Sequence, residues 1–208
     1  MHRLVCSTLI VFLALCGCHV KGKRAQRTAE RPHQSLLFVD NGQRWGKWGL
    51  KEMCPNGYYA AGFSLKVRYW ESLLVGDNTA LNGIRLHCVN SLGGSGPYSD
   101  YASVQSDTGS WGEWTDIQWC KSGMLKSFQL RVEPYQGTMW DDTAANNIKF
   151  KCSGDEEIKG AGMSWGDWGS WSETCTGSGI CGLQTIVEEP KGVGDDTALN
   201  DVRFYCCD

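Results

Sequence analysis

Along much of the chain apolar and polar side chains alternate with a period of two. Phe63, Leu65, Val67 and Tyr69 fall on one side of an extended segment, and Ser64, Lys66 and Arg68 on the other. Phe128-Gln129-Leu130-Arg131-Val132 and Leu183-Gln184-Thr185-Ile186-Val187 repeat the run. A second kind of run recurs as Ile84-Arg85-Leu86-His87-Cys88, Ile148-Lys149-Phe150-Lys151-Cys152 and Val202-Arg203-Phe204-Tyr205-Cys206. Successive side chains of a strand point to opposite faces, so this period predicts half-buried antiparallel strands. Asn41-Gly42, Pro55-Asn56-Gly57 and a set of Asp/Asn-Thr corners supply the turns between them. No segment of the body carries the 3.6 period of an amphipathic helix.

The strands belong to three copies of one unit. Trp45-Gly46-Lys47-Trp48 returns as Trp111-Gly112-Glu113-Trp114 and as Trp165-Gly166-Asp167-Trp168. Each is followed by a cysteine (Cys54, Cys120, Cys175), then by an alternating run. Each unit then reaches one closing phrase: Asp77-Asn78-Thr79-Ala80-Leu81-Asn82, Asp141-Asp142-Thr143-Ala144-Ala145-Asn146 or Asp195-Asp196-Thr197-Ala198-Leu199-Asn200. The repeats run over 36–90, 102–153 and 156–208, with a Gly/Ser-rich loop between the first two. Such units predict an all-β fold: a β-prism of three antiparallel Greek-key sheets about a pseudo-threefold axis, in one domain over 36–208.

Composition adds the compartment. Met1, His2 and Arg3 precede an apolar run from Leu4 to Leu15, which suits a signal peptide over 1–18 and is too short to span a bilayer. Leu15-Cys16-Gly17-Cys18 loosely resembles a lipobox, the competing reading of that end. Residues 19–35 form a basic arm or pro-segment, with Lys21, Lys23, Arg24, Arg27 and Arg31. The net charge of −3 becomes more negative once these cations are set aside, which is not the footprint of a nucleic-acid-binding body. Of 11 cysteines, eight lie beyond the leader: Cys54, Cys88, Cys120, Cys152, Cys175, Cys181, Cys206 and Cys207. An even set in an exported chain reads as four disulfides, and the absence of any CxxC pair argues against zinc. Strand parity pairs Cys54 with Cys88 and Cys120 with Cys152, each contributing on the order of 3–4 kcal/mol. The third unit is ambiguous. The displacement of Cys175 favours Cys207, and the parity of Cys181 with Leu183 favours Cys206.

No committed active site stands out. Glu52 and Glu173 occupy equivalent places two residues before a cysteine, where the second copy has Gln118. Glycosyl chemistry needs two carboxylates about 5–10 Å apart across a cleft. Threefold repetition speaks against that, and the paired acids Asp141-Asp142 and Asp195-Asp196 read better as Asx turns. No phosphate loop follows a strand and opens a helix, and the histidines beyond the leader are His19 and His33 in the arm and His87 in the body, too few for a convincing Ser–His relay. Repetition of the W-G-x-W pairs predicts that one ring of each packs in the core. Trp70, Trp119 and Trp140 lie outside the pairs and are the candidates for stacking on a ligand. No metal or cofactor is expected.

The phrases Gly62–Val67 (GFSLKV), Asp77–Cys88 (DNTALNGIRLHC), Ser110–Trp114 (SWGEW) and the tail CGLQT…GDDTALND…CC resemble the vitelline membrane outer layer protein family. The resemblance covers 36–208. It implies the same three-sheet β-prism and an extracellular component of the egg's outer vitelline layer or another secreted coat. It also implies polymer binding and a sugar-transferring activity toward chito-oligosaccharides, with no catalytic residue to carry over. The reading is therefore a secreted coat or matrix component with coat proteins or glycan polymers as partners, and no nucleic acid or membrane. A lectin-like module or a weak glycan-active enzyme is the alternative.

Overall fold

The computed structural model describes residues 31–69, 81–91, 100–134, 144–188 and 198–208. They hold fourteen strands and no helix. In chain order these are β1 (Ser35–Leu37), β2 (Lys47–Trp48), β3 (Glu52–Met53), β4 (Tyr58–Val67), β5 (Leu81–Asn90), β6 (Ala102–Gln105) and β7 (Glu113–Trp114). They continue with β8 (Gln118–Trp119), β9 (Leu125–Val132), β10 (Ala145–Cys152), β11 (Glu157–Lys159), β12 (Asp167–Trp168), β13 (Gly179–Val187) and β14 (Leu199–Cys207).

Three antiparallel sheets result. Their strand orders are β6-β5-β4-β7, β11-β10-β9-β12 and β1-β14-β13-β2, with β8 and β3 also pairing on β4 and β13. The first two have the 4-1-2-3 order of a Greek key, and the third shows the same arrangement circularly permuted, with β1 and β2 in the places that follow β13 and β14. The strand that completes a sheet never comes from the repeat that built its hairpin. The second W-G-x-W segment (β7) closes the first repeat's hairpin, the third (β12) closes the second, and the first (β2) closes the third. Residues 35–53 thus join the last sheet, where Ser35 lies opposite Cys206. The chain closes on itself as a ring.

The inward faces meet in one core. Phe63, Phe128, Phe150 and Phe204 are all fully buried, with Phe63–Phe150 at 4.7 Å, Phe128–Phe204 at 4.8 Å and Phe150–Phe204 at 5.2 Å between ring centroids. These four rings come from three sheets and join the sheets to one another, while Phe128 and Phe150 also face each other across β9 and β10 at 6.3 Å.

Three disulfides staple the crossings between sheets. The backbone N–H groups of Cys54, Cys120 and Cys175 donate to the carbonyls of Cys181, Ala61 and Lys126 on one sheet. Their sulfurs bond Cys88, Cys152 and Cys206 on the next. The fourth, Cys181–Cys207, lies across the β13–β14 hairpin. The expected pairs Cys175–Cys207 and Cys181–Cys206 are therefore not the ones formed. A bulge between Ile180 and Gly182 is the reason. It adds one residue to β13, so Ile180 and Leu183 face the core while Cys181 turns outward to join Met53, Tyr59, Tyr205 and Cys207. Parity counted straight through the bulge assigns Cys181 to the wrong face.

Glycine opens each W-G-x-W strand in a left-handed conformation, with φ of 98° at Gly46, 86° at Gly112 and 70° at Gly166. A Cβ at Gly166 would strike the Val132 carbonyl. Gly166→Ala is expected to cost about 2–3 kcal/mol, read as a lower urea midpoint at unchanged m-value. Gly154, with open space around it, serves as the control, and Gly154→Ala should change stability by less than about 0.5 kcal/mol. Equal losses at the two positions would refute the assignment of strain to the motif.

Candidate functional site: the outer faces of the sheets

The register of the closing strands decides where the tryptophans go. Trp114 lies opposite Lys66, Trp168 opposite Arg131 and Trp48 opposite Ile186, all positions on the outward side of their strands. The second ring of each pair is therefore carried outside the barrel. Trp45 and Trp111 are each 50% exposed and Trp48 is 38% exposed, while Trp114, Trp165 and Trp168 are half-buried. None of the six reaches the core. This corrects the expectation that one ring of each pair packs inside; phenylalanine fills that role.

Cations cover the rings instead. Arg85 lies over Trp114 at 3.8 Å, Arg203 over Trp48 at 4.2 Å and Lys149 over Trp168 at 4.4 Å from ring centroids. These three cations hold one equivalent position in the closing strands β5, β14 and β10. Arg68 covers Trp111 at 4.9 Å and Lys151 covers Trp171 at 4.7 Å. Each such contact at a partly exposed site is worth roughly 0.5–1 kcal/mol. Amide side chains fix the cations: Arg203 donates twice to Gln184 Oε1, at 3.0 and 2.7 Å, and Arg85 donates to Gln105 Oε1 at 2.7 Å. The sequence carried this signal, since Arg85, Lys149 and Arg203 are the recurrent polar residue of the closing strand. Periodicity labelled them only as solvated.

Among the ligand candidates, Trp119 is half-buried on the outer face of the first sheet. It lies over Gly62, whose missing side chain leaves room for the indole, and packs on Tyr101 at 5.3 Å and His87 at 5.7 Å. Trp70 and Trp140 lie outside the described residues, as do the acidic corners at 77–78, 141–142 and 195–196. Glu52 sits in β3 on the last sheet, opposite Leu183. Glu173 is exposed beside the middle sheet, where the neighbouring Ser172 N–H donates to the Phe128 carbonyl. The two carboxylates thus stand at equivalent places on different sheets, not across one cleft. An open cavity of about 370 Å³ lies elsewhere, between Arg31, His33, the Asn56-Gly57 turn and Asp208, and holds none of these residues.

Two ionisable groups, His87 buried and Asp201 half-buried, break the threefold pattern, and sequence reasoning singled out neither for its environment. His87 is 3% exposed between Ser64 Oγ (3.0 Å from Nε2) and Ser103 Oγ (2.9 Å from Nδ1). Burial, with Arg85 nearby, lowers its pKa to about 4. A neutral imidazole has one donor and one acceptor nitrogen, and the two hydroxyls satisfy both. Among the described residues no carboxylate is bonded to the ring, and of the two hydroxyls Ser64 is buried and Ser103 exposed, so the arrangement packs His87 against the sheet. Asp201 sits under the Asn41-Gly42 turn, and burial raises its pKa to about 6 despite the Val202 N–H and Arg203. Its counterparts are Gly83 and Asn147, neither of which ionises.

The vitelline membrane outer layer protein I family model matches residues 35–208. The vitelline membrane outer layer protein 1 homolog of Homo sapiens is 50% identical over 186 residues, covering 88% of this chain and 88% of that protein. The homolog of Mus musculus is 44% identical over 200 residues, covering 96% and 94%. Among solved structures, artocarpin, a lectin with mannose specificity, aligns with a TM-score of 0.40 and 12% identity, over 78% of this chain and 97% of that one. A likeness at that level carries no functional argument.

The two shifted groups act in opposite directions on acidification. The depressed pKa of His87 means that the unfolded chain binds the proton first, so its stabilisation is complete above pH 6.5 and is lost as pH falls from 6.5 through about 4. The full loss is on the order of 3 kcal/mol, and an NMR titration of the imidazole should show no transition above pH 5. Asp201 ionises at a cost to the folded state above pH 6, and that cost is relieved as pH falls through about 6 toward 3.8. Asp201→Asn keeps the acceptor that Asn147 Oδ1 uses toward the Ile148 N–H at 2.8 Å. It should add about 1–2 kcal/mol at pH 8 and nothing near pH 4. A gain independent of pH would show that Asp201 is not buried in charged form.

Proposed function

The chain belongs to the vitelline membrane outer layer protein I family, and on that premise we propose that it is a secreted structural component of an extracellular coat or matrix. The observation that supports this reading is the closure of the ring. Residues 35–53 complete the last sheet, and a disulfide ties every crossing from one sheet to the next. Such a body resists opening, because each loop closed by a disulfide removes freedom that the unfolded chain would regain. All eight cysteines among the described residues are paired, which fits an oxidising compartment. The partners would be other coat proteins or the glycan polymers of the coat.

A glycan-binding module is the second reading, favoured by Trp45 and Trp111. Half of each is exposed beside Val187 and Val67, the last residues of β13 and β4. An indole face of that exposure can stack on a sugar ring. Catalysis finds less support, because Glu52 and Glu173 stand on different sheets while glycosyl transfer needs its carboxylates about 5–10 Å apart.

The oxidised protein should co-sediment with the insoluble extracellular fraction of the secreting tissue and resist trypsin. Reduction should speed its digestion by about 100-fold or more. Full solubility in that fraction would remove the coat reading. Calorimetric titration with soluble chito-oligosaccharides separates the alternatives. Saturable heat supports the glycan module, new oligomer lengths by mass spectrometry support the enzyme, and silence in both removes them.

A further inference from the structure

Three W-G-x-W segments, and the extension of the third to Trp171, give four instances of a tryptophan followed three residues later by another: Trp45/Trp48, Trp111/Trp114, Trp165/Trp168 and Trp168/Trp171. In the secretory pathway this spacing is the acceptor pattern for C-linked mannosylation, which modifies the first tryptophan of the pair. We propose that Trp45, Trp111 and Trp165 each carry a mannose joined to indole C2. The proposal rests on the export argued above and otherwise goes beyond it.

The chemistry balances without a redox partner. Indole C2 is a carbon nucleophile, and the donor is a mannosyl phosphate carried on a polyisoprenoid lipid. A bond forms between C2 and the sugar's anomeric carbon as the bond from that carbon to the phosphate oxygen breaks. The lipid phosphate leaves with the electron pair. The C2 proton passes to a base of the transferring enzyme, which restores the aromatic ring.

The fold makes room for the product. A sugar on a core ring would be incompatible with folding, because interiors are close-packed. Here the core aromatics are phenylalanines, and all three proposed acceptors lie outside that core. Trp45 and Trp111 are 50% exposed, and Trp165 is half-buried at the equivalent place, so a bulky polar group there meets solvent. The second tryptophan of each pair plays a different part: Arg203, Arg85 and Lys149 cover Trp48, Trp114 and Trp168. Trp168 also begins a pair, but a hexose on it would compete with Lys149 and Arg131 for the ring, and it is left out of the assignment. Arg68, over Trp111, is placed to donate to a sugar hydroxyl on that indole. The chain has no Asn-x-Ser/Thr sequon, so an N-linked glycan would not mask the modification.

The test uses the full chain expressed in mammalian cells, digested and sequenced by tandem mass spectrometry. The peptides bearing Trp45, Trp111 and Trp165 should each gain one hexose. That hexose should fragment by cross-ring loss, as a carbon-linked sugar does, instead of leaving whole. Trp111→Phe should abolish the increment on its own peptide and leave the other two. Because any tryptophan variant risks misfolding, the wild-type chain is also expressed in cells lacking the C-mannosyltransferase, where all three increments should vanish. A C-linked hexose on all three upholds the proposal, and a site found without one is overturned as an acceptor. Unmodified peptides at all three, from cells that modify a W-x-x-W reporter, overturn it, and so does a hexose lost whole from serine or threonine. Export is scored separately, by recovery in the medium. A chain retained in the secretory lumen is assayed there, and one left in the cytosol defeats both readings.

Discussion

Each hairpin of this protein lacks an outer strand until the next repeat supplies it, and the rest of the structure follows from that exchange. The W-G-x-W strand must reach the edge of the preceding hairpin, so its glycine takes a left-handed conformation against the last residues of that hairpin's first strand. The same register sets the second tryptophan opposite an outward residue. The strand of the first repeat docks on the hairpin of the third, and this pairing closes the ring. Arg31 reinforces that closure. Its guanidinium donates to the carbonyls of Pro55 and Tyr58 at 2.9 and 2.6 Å and lies 4.8 Å from the Tyr59 ring centroid. The end of the basic arm is thereby part of the body.

Size and polarity then divide the aromatics. Four phenylalanines fill a space that three curved sheets enclose, where an indole would bury an N–H with few partners. Trp48, Trp111, Trp114, Trp168 and Trp171 lie outside the core, each with a cation over its ring. Rings held in this way cover the polar side of a short edge strand, a place where unpaired backbone would otherwise invite association. The structural and glycan-related readings both draw on this layer, because the same rings stabilise the sheet edges and remain open to solvent at Trp45 and Trp111.

Two of the departures from threefold symmetry are ionisable groups. His87 stands where the other copies have Lys151 and Tyr205, and Asp201 where they have Gly83 and Asn147. Both have strongly shifted proton affinities because each was placed in a position built for a neutral or solvated neighbour. Copies one and three share a glutamate before the cysteine, yet the pseudo-symmetry that makes these residues equivalent also holds them on separate sheets.

Period-two alternation, the three landmark phrases and eight cysteines were enough to read an all-β body of three sheets, because strand parity and turn chemistry are local properties. Cys54–Cys88 and Cys120–Cys152 were legible as well, because Cys88 and Cys152 fall on the inward face of their strands and each has one other cysteine in its own repeat. Where a residue count is interrupted, that reading fails. The bulge at Cys181 reverses parity and exchanges two disulfides, and no local pattern in Gly179–Leu183 announces it. Nor does a repeat reveal which neighbour its edge strand will join. Whether a W-G-x-W ring faces core or solvent depends on the register against another repeat's hairpin, and the separation of Glu52 from Glu173 depends on which sheet each edge segment completes. Those are long-range choices made by packing, so the strands belonged to the sequence, and the faces and partners to the tertiary structure.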